Sequence, residues 1–154
     1  MNHSSIILLL PKNKFVVYAI LPHESIVKQM FKKILFTILA IIAGYAIMII
    51  GLYISQDLFF GGIEIGKTKI WELTIAGLGA FVSAFAGGFV TGRLAPVKSI
   101  VAPAILAVET MIEATFLFIE GQFPNPVWFD ILSELTLVVG ILAGGNYYLH
   151  RRKK

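Results

Sequence analysis

The chain has 154 residues, 57% of them hydrophobic and 14% charged, with a net charge of +4 and a mean hydropathy of +0.83. Soluble domains carry about 25% charged residues, and a domain of this length has no interior large enough to hide so much apolar surface, so the composition points to one compact membrane domain. Cysteine is absent, which excludes disulfides, thiolate metal sites and thiol nucleophiles and leaves the redox compartment unspecified.

The sequence pI of 9.4 would suit a nucleic-acid partner, but the lysines and arginines gather at the ends of apolar runs and form no basic face with interleaved aromatics. That pattern belongs to membrane topology signals. The expected surroundings are a lipid bilayer, with no nucleic-acid partner.

In chain order, residues 1–29 hold two apolar runs, 6–10 and 15–21, ended by Pro11 and Pro22 and too short to cross a membrane. Met30-Phe31-Lys32-Lys33 followed by apolar residues has the form of a membrane-protein start. Residues 1–29 are accordingly read as translated leader ahead of Met30 or as a membrane-surface segment. A cleaved signal peptide is disfavoured, because the run after Lys33 continues for about 21 residues where a signal core has about 7 to 15.

Four runs in residues 30–154 are long enough to span. Residues 34–54 are uncharged; 73–92 are uncharged and rich in small side chains; 100–119 are apolar except for Glu109 and Glu113; 127–149 are apolar except for Asp130, Glu134 and Asn146. At about 1.5 Å per residue each reaches about 30 Å, the hydrocarbon thickness. The fold class expected is an all-α integral membrane protein with four transmembrane helices.

Lys28, Lys32 and Lys33 precede the first run, Arg93 and Lys98 lie between the second and third, and Arg151, Arg152, Lys153 and Lys154 follow the fourth. Those segments, and both termini, are expected in the cytoplasm. The connections 55–72 and 120–126 are acidic or nearly uncharged and are expected outside. Tyr53, Trp71, Phe123 and Trp128 then fall at the outer boundary and Tyr147 with Tyr148 at the inner one, where amphipathic rings prefer to sit.

A shift of 57 positions aligns Trp71 with Trp128, Leu78 with Leu135, Val82 with Val139, and Ala86-Gly87-Gly88 with Ala143-Gly144-Gly145. Two copies of one helical hairpin and chance matching of apolar sequence both account for it. On the second helix Ala76, Ala80, Ala84, Gly88 and Gly92 recur every four residues beside a second row of Gly79, Ser83, Gly87 and Thr91. Small faces let backbones approach closely, so this helix is expected at the centre of the bundle. The spacing of Gly140 and Gly144 allows a similar contact within the chain or between two chains.

Gly61-Gly62-Ile63-Glu64-Ile65-Gly66-Lys67-Thr68 matches the phosphate-loop pattern literally. A working loop follows a strand and opens a helix beside a nucleotide-containing compartment, so no nucleotide is expected here. His3, His23 and His150 lie outside the runs without metal-ligand spacing; no catalytic residue, enzyme activity or cofactor is expected.

The intramembrane acids are the anomaly. Glu109 falls at the middle of the third run, with Glu113 one turn outward on the same face and Glu120 near that face at the outer boundary. Asp130 and Glu134 repeat the four-residue spacing on the fourth run, Glu134 at roughly the depth of Glu113. An ionised carboxylate at mid-membrane costs about 2.5–3.5 kcal/mol on insertion scales, and no lysine or arginine lies inside any run to offset it. Glu109, Glu113 and Glu134 are therefore candidates for a proton or cation site, with Glu120 and Asp130 lining an outer vestibule; which metal, if any, is undetermined. The competing reading makes them neutral carboxyls bonded to Thr110, Thr115, Thr136 or backbone, serving only packing or register.

Gly87-Gly88-Phe89-Val90-Thr91-Gly92-Arg93-Leu94-Ala95-Pro96 resembles the turn after the second helix in a family of small, uncharacterised four-helix bacterial inner-membrane proteins. Lys32-Lys33-Ile34-Leu35, Pro126-Val127-Trp128-Phe129 and Gly144-Gly145 are similar to other features of that family, over residues 32–152. The resemblance implies a bacterial inner membrane and carries no activity, cofactor or catalytic residue; Glu109 and Glu113 are not part of its pattern. The function expected from the residues is a small proton- or cation-binding transport protein, the alternative a non-catalytic assembly subunit that packs against a second copy or another membrane protein.

Overall fold

A computed structural model describes residues 23–63, 67–97, 99–120 and 126–151. Apolar segments placed in lipid must satisfy their backbone groups internally, and each run does so as a helix: α1 (His23–Tyr53), α2 (Ile70–Leu94), α3 (Val101–Ile119) and α4 (Val127–Arg151). All four are long and apolar enough to cross a membrane. The chain is an all-α, four-helix protein of multi-pass membrane type.

The helix ends follow local chemistry. After Tyr53 the first helix passes through a π-helical turn, Ile54–Leu58, and stops at Gly61 and Gly62, whose φ values of 68° and 98° suit glycine. Their amides donate to Asp57 O at 2.8 Å and Gln56 O at 3.2 Å, satisfying carbonyls the helix leaves open. At the start of α2 the Lys69 amide donates to the Glu72 carboxylate at 3.0 Å. That helix ends where Ala95, ahead of Pro96, turns to extended backbone. Pro103 sits in the first turn of α3, where its missing N–H has no partner to lose.

Helix α1 runs longer than the apolar run 34–54. It is already helical at His23, the first described residue. At its other end the helical path continues past Ile54, which shortens the connection expected over 55–72. Gly61 and Gly62 of the phosphate-loop pattern are thus a helix terminator and follow no strand; residues 64–66 of that pattern lie outside the described residues, as do 1–22.

Helix α2 is the centre of the bundle, and its two small rows serve two neighbours. Ala84 and Gly88 meet α4: a methyl on Gly140 would come within 2.8 Å of Ala84 Cβ, and one on Gly88 would overlap the Ile141 backbone. Gly144 reciprocates against the Phe85 backbone, and Gly92 lies beside Gly145. Ala76 and Ala80 are buried along the same helix. The other row faces α1, with Thr91 and Gly87 against Gly44, Ser83 against Gly51, and Gly79 against Ser55. The Gly140–Gly144 pair is therefore used within the chain.

Helices α1 and α4 flank α2, and α3 lies against α4 with slighter contacts to α1 and α2. Met48, Ala84, Leu106, Ala107 and Ile141, drawn from all four helices, form the core near mid-bundle. Large apolar side chains such as Ile42, Leu78, Ile112 and Val139 face outward, as lipid requires.

Helices α2 and α4 each have 25 residues and begin one residue before Trp71 and Trp128, in register with the shift of 57. Their glycine pairs are nonetheless used differently. Gly87 faces α1 and Gly88 faces α4, whereas Gly144 faces α2 and Gly145 meets Pro103 of α3. A two-fold axis between the hairpins would exchange the roles of Gly144 and Gly145.

Candidate intramembrane carboxylate site

Beyond Thr110, α3 contributes no buried side chain to the bundle, and Glu113, Thr115 and Glu120 on that stretch are exposed. Glu113 is tied there to α1: the Tyr45 hydroxyl lies 2.7 Å from Oε2 and 2.9 Å from Oε1 and donates its proton to the carboxylate. The partners are 68 positions apart in sequence and on different helices. A phenol has one proton, so the short contact to both oxygens describes one donor shared by two acceptors.

Glu134 of α4 approaches the same place from the other side. Its carboxylate is half-buried, within bonding reach of the Thr110 hydroxyl and near enough to Glu113 for their charges to interact. Its Oε1 is buried without a hydrogen-bond partner among the described residues. Thr110 itself is buried and places its hydroxyl 2.9 Å from Ala107 O.

Glu109 lies one turn before Glu113, exposed on the surface of the bundle and close enough to Tyr45 for its charge to be felt there. The three carboxylates therefore share a neighbourhood but stand differently: Glu134 half-buried, Glu113 bound to Tyr45, Glu109 open to the outside of the bundle. Glu120 stands exposed at the end of α3 and Asp130 half-buried in the first turn of α4, with its Oδ2 buried. Residues 121–125, which join them, lie outside the described residues. Among the described residues no three acidic or histidine side chains are grouped to hold a metal ion.

The threonines named as alternative partners for the acids mostly serve their own helices. Thr115 donates to Met111 O at 2.7 Å and Thr136 to Leu132 O at 2.8 Å, leaving Thr110 as the one near a carboxylate. The residue that sequence reasoning missed is Tyr45. It lies in the uncharged run 34–54, yet a phenol at that depth has to bond its hydroxyl to something, and this is the signal that the sequence offers.

The fold defines the class: a multi-pass membrane protein of four helices, two of which carry carboxylates within their apolar runs. No family model matches the sequence, and no curated protein or solved structure is significantly similar to it.

Proposed function

We propose that this is a small proton-binding membrane protein in which Glu113 and Glu134, with Glu109, take up and pass protons between α1, α3 and α4. The observation that carries the reading is the Tyr45–Glu113 bond. A proton arriving on Glu113 competes with the phenol for the same two oxygens, and a neutral Glu113 can in turn donate to the Tyr45 oxygen. Glu134 beside Thr110 supplies a second carrier on the opposite side of α3. Protons need no cage of ligands, which suits three carboxylates that are near one another but not convergent. On the distribution of lysine and arginine, the His150–Arg151 end lies in the cytoplasm, and the resemblance to small four-helix bacterial proteins favours an inner membrane.

The test is proton flux into proteoliposomes under an imposed potential, followed with an entrapped pH dye. Flux is expected to fall at least about tenfold in Glu113→Gln and in Glu134→Gln, on the scale typical of losing a proton carrier. Flux at the empty-liposome level in the wild type, or variants equal to an active wild type, sinks the reading.

A second reading is favoured by one observation, the exposure of Glu109 beside Val108 and Ile112 on the outer face of α3. A carboxyl open to the membrane at mid-span can be covered by a polar group of another chain, which would make the protein an assembly subunit. Under that reading Glu109→Leu abolishes recovery of a cross-linked complex from native membranes while Glu113→Gln leaves it intact.

A further inference from the structure

We infer that the cleft between the end of α1 and the start of α2 binds one phospholipid, an acyl chain lying in the cleft and the phosphate headgroup resting on Lys69. The floor is low because the facing residues are small: a methyl on Gly79 would lie 2.5 Å from Ser55 Cβ, and Gly51 rests on Ser83. Phe59 and Phe60, just past the π-helical turn, and Leu78 and Val82 on α2 line an open groove of about 570 Å³. That is the size of small-molecule sites in general. The wide turn at Ile54–Leu58 sets the direction of Phe59 and Phe60 relative to the face of α1 behind them. Phe60 then meets Trp71 edge-to-face at 6.1 Å across the two helices.

A second, more open recess adjoins it: Ile75 also lines a hollow with Lys69, Trp71 and Thr74, so the lining residues of the two follow α2 from Ser83 to an exposed lysine. Along α2 that distance is about 20 Å at 1.5 Å per residue. A single leaflet, headgroup included, is also about 20 Å thick. An apolar trough one leaflet deep, ending in a cation beside an interfacial tryptophan, complements an acyl chain under an anionic phosphate. Its walls are apolar, and the two floor serines donate their protons to Leu52 O and Gly79 O of their own helices. This site is on the opposite side of α2 from α4 and its acids, and it holds whether or not those acids carry protons.

The two tryptophans, Trp71 and Trp128, make a direct test. In Trp128→Phe the remaining indole reports on the groove, and bromine on an acyl chain quenches indole on contact. The full chain is placed in bilayers mixing brominated phosphatidylglycerol or phosphatidylcholine with unlabelled lipid, and relative association is taken from the quenching curves. Phosphatidylglycerol is expected to associate about fivefold more strongly, the effect of one lysine at a membrane surface. Lys69→Gln is expected to bring the ratio to about one. Val82→Phe, which fills the groove and leaves Lys69 in place, is expected to lower quenching by both lipids, with Leu78→Phe as a second filling variant should the first fold poorly. A ratio of one in the Trp128→Phe protein, or unchanged quenching in both folded filling variants, overturns the inference; the first leaves no headgroup site, the second a lysine acting alone or a second copy seated in the groove.

Discussion

A phenol at mid-span has to place its hydroxyl proton somewhere, and the Tyr45 hydroxyl places it on Glu113. The bond joins α1 to α3, which otherwise touch little, so it contributes to holding the loosely packed side of the bundle. Side-chain hydrogen bonds between membrane helices average about 0.6 kcal/mol and reach about 1.7. A double-mutant cycle of Tyr45→Phe and Glu113→Gln, read by unfolding in mixed micelles, should therefore give a coupling of about 1 kcal/mol; zero coupling would mean that the two side chains do not interact. The shared face of Glu109 and Glu113 was legible from helical spacing alone. Tyr45 was not, because its partner lies on another helix and no local spacing connects them, and the different exposures of Glu109 and Glu134 depend on which neighbours α3 and α4 acquire.

Helix α2 shows how a pattern in one element becomes a packing instruction for two others. The four-residue repeat of alanine and glycine could be read directly, but a small row does not say which helix will use it. The structure gives the row ending at Gly88 and Gly92 to α4 and the row through Gly79 and Gly87 to α1. Gly88→Leu and Gly144→Leu each drive a side chain into a neighbouring backbone and should cost about 3 kcal/mol or more, the severe end of overpacking, seen as loss of monodisperse protein or a much lower Tm. Gly77 has nothing within 4 Å of an added methyl. Gly77→Ala should raise stability by up to about 1 kcal/mol through helix propensity, and a loss there would show that α2 has another neighbour on that face. The π-helical turn was invisible in the sequence, since residues 54–58 carry no proline or glycine to mark it.

At the scale of the whole molecule, four helices able to cross a membrane would put both ends on one side, and the distribution of lysine and arginine makes the cytoplasm the expected side. The absence of cysteine gives a clean background for testing it. In intact cells a membrane-impermeant maleimide should label Lys67→Cys, whereas Pro96→Cys should react only after lysis; the reverse pattern would invert the topology. The number of helices and the approximate limits of α2, α3 and α4 were determined by the sequence itself, because a bilayer imposes one dominant constraint, about 20 apolar residues per crossing with the backbone satisfied within each helix. The order of neighbours around α2, the Tyr45–Glu113 bond, the separate standing of the three carboxylates and the groove beside Trp71 were decided only by tertiary structure. Between helices already in lipid there is no hydrophobic drive to read from composition, and the choice of partner rests on the fit of small surfaces and on polar groups finding one another across the bundle.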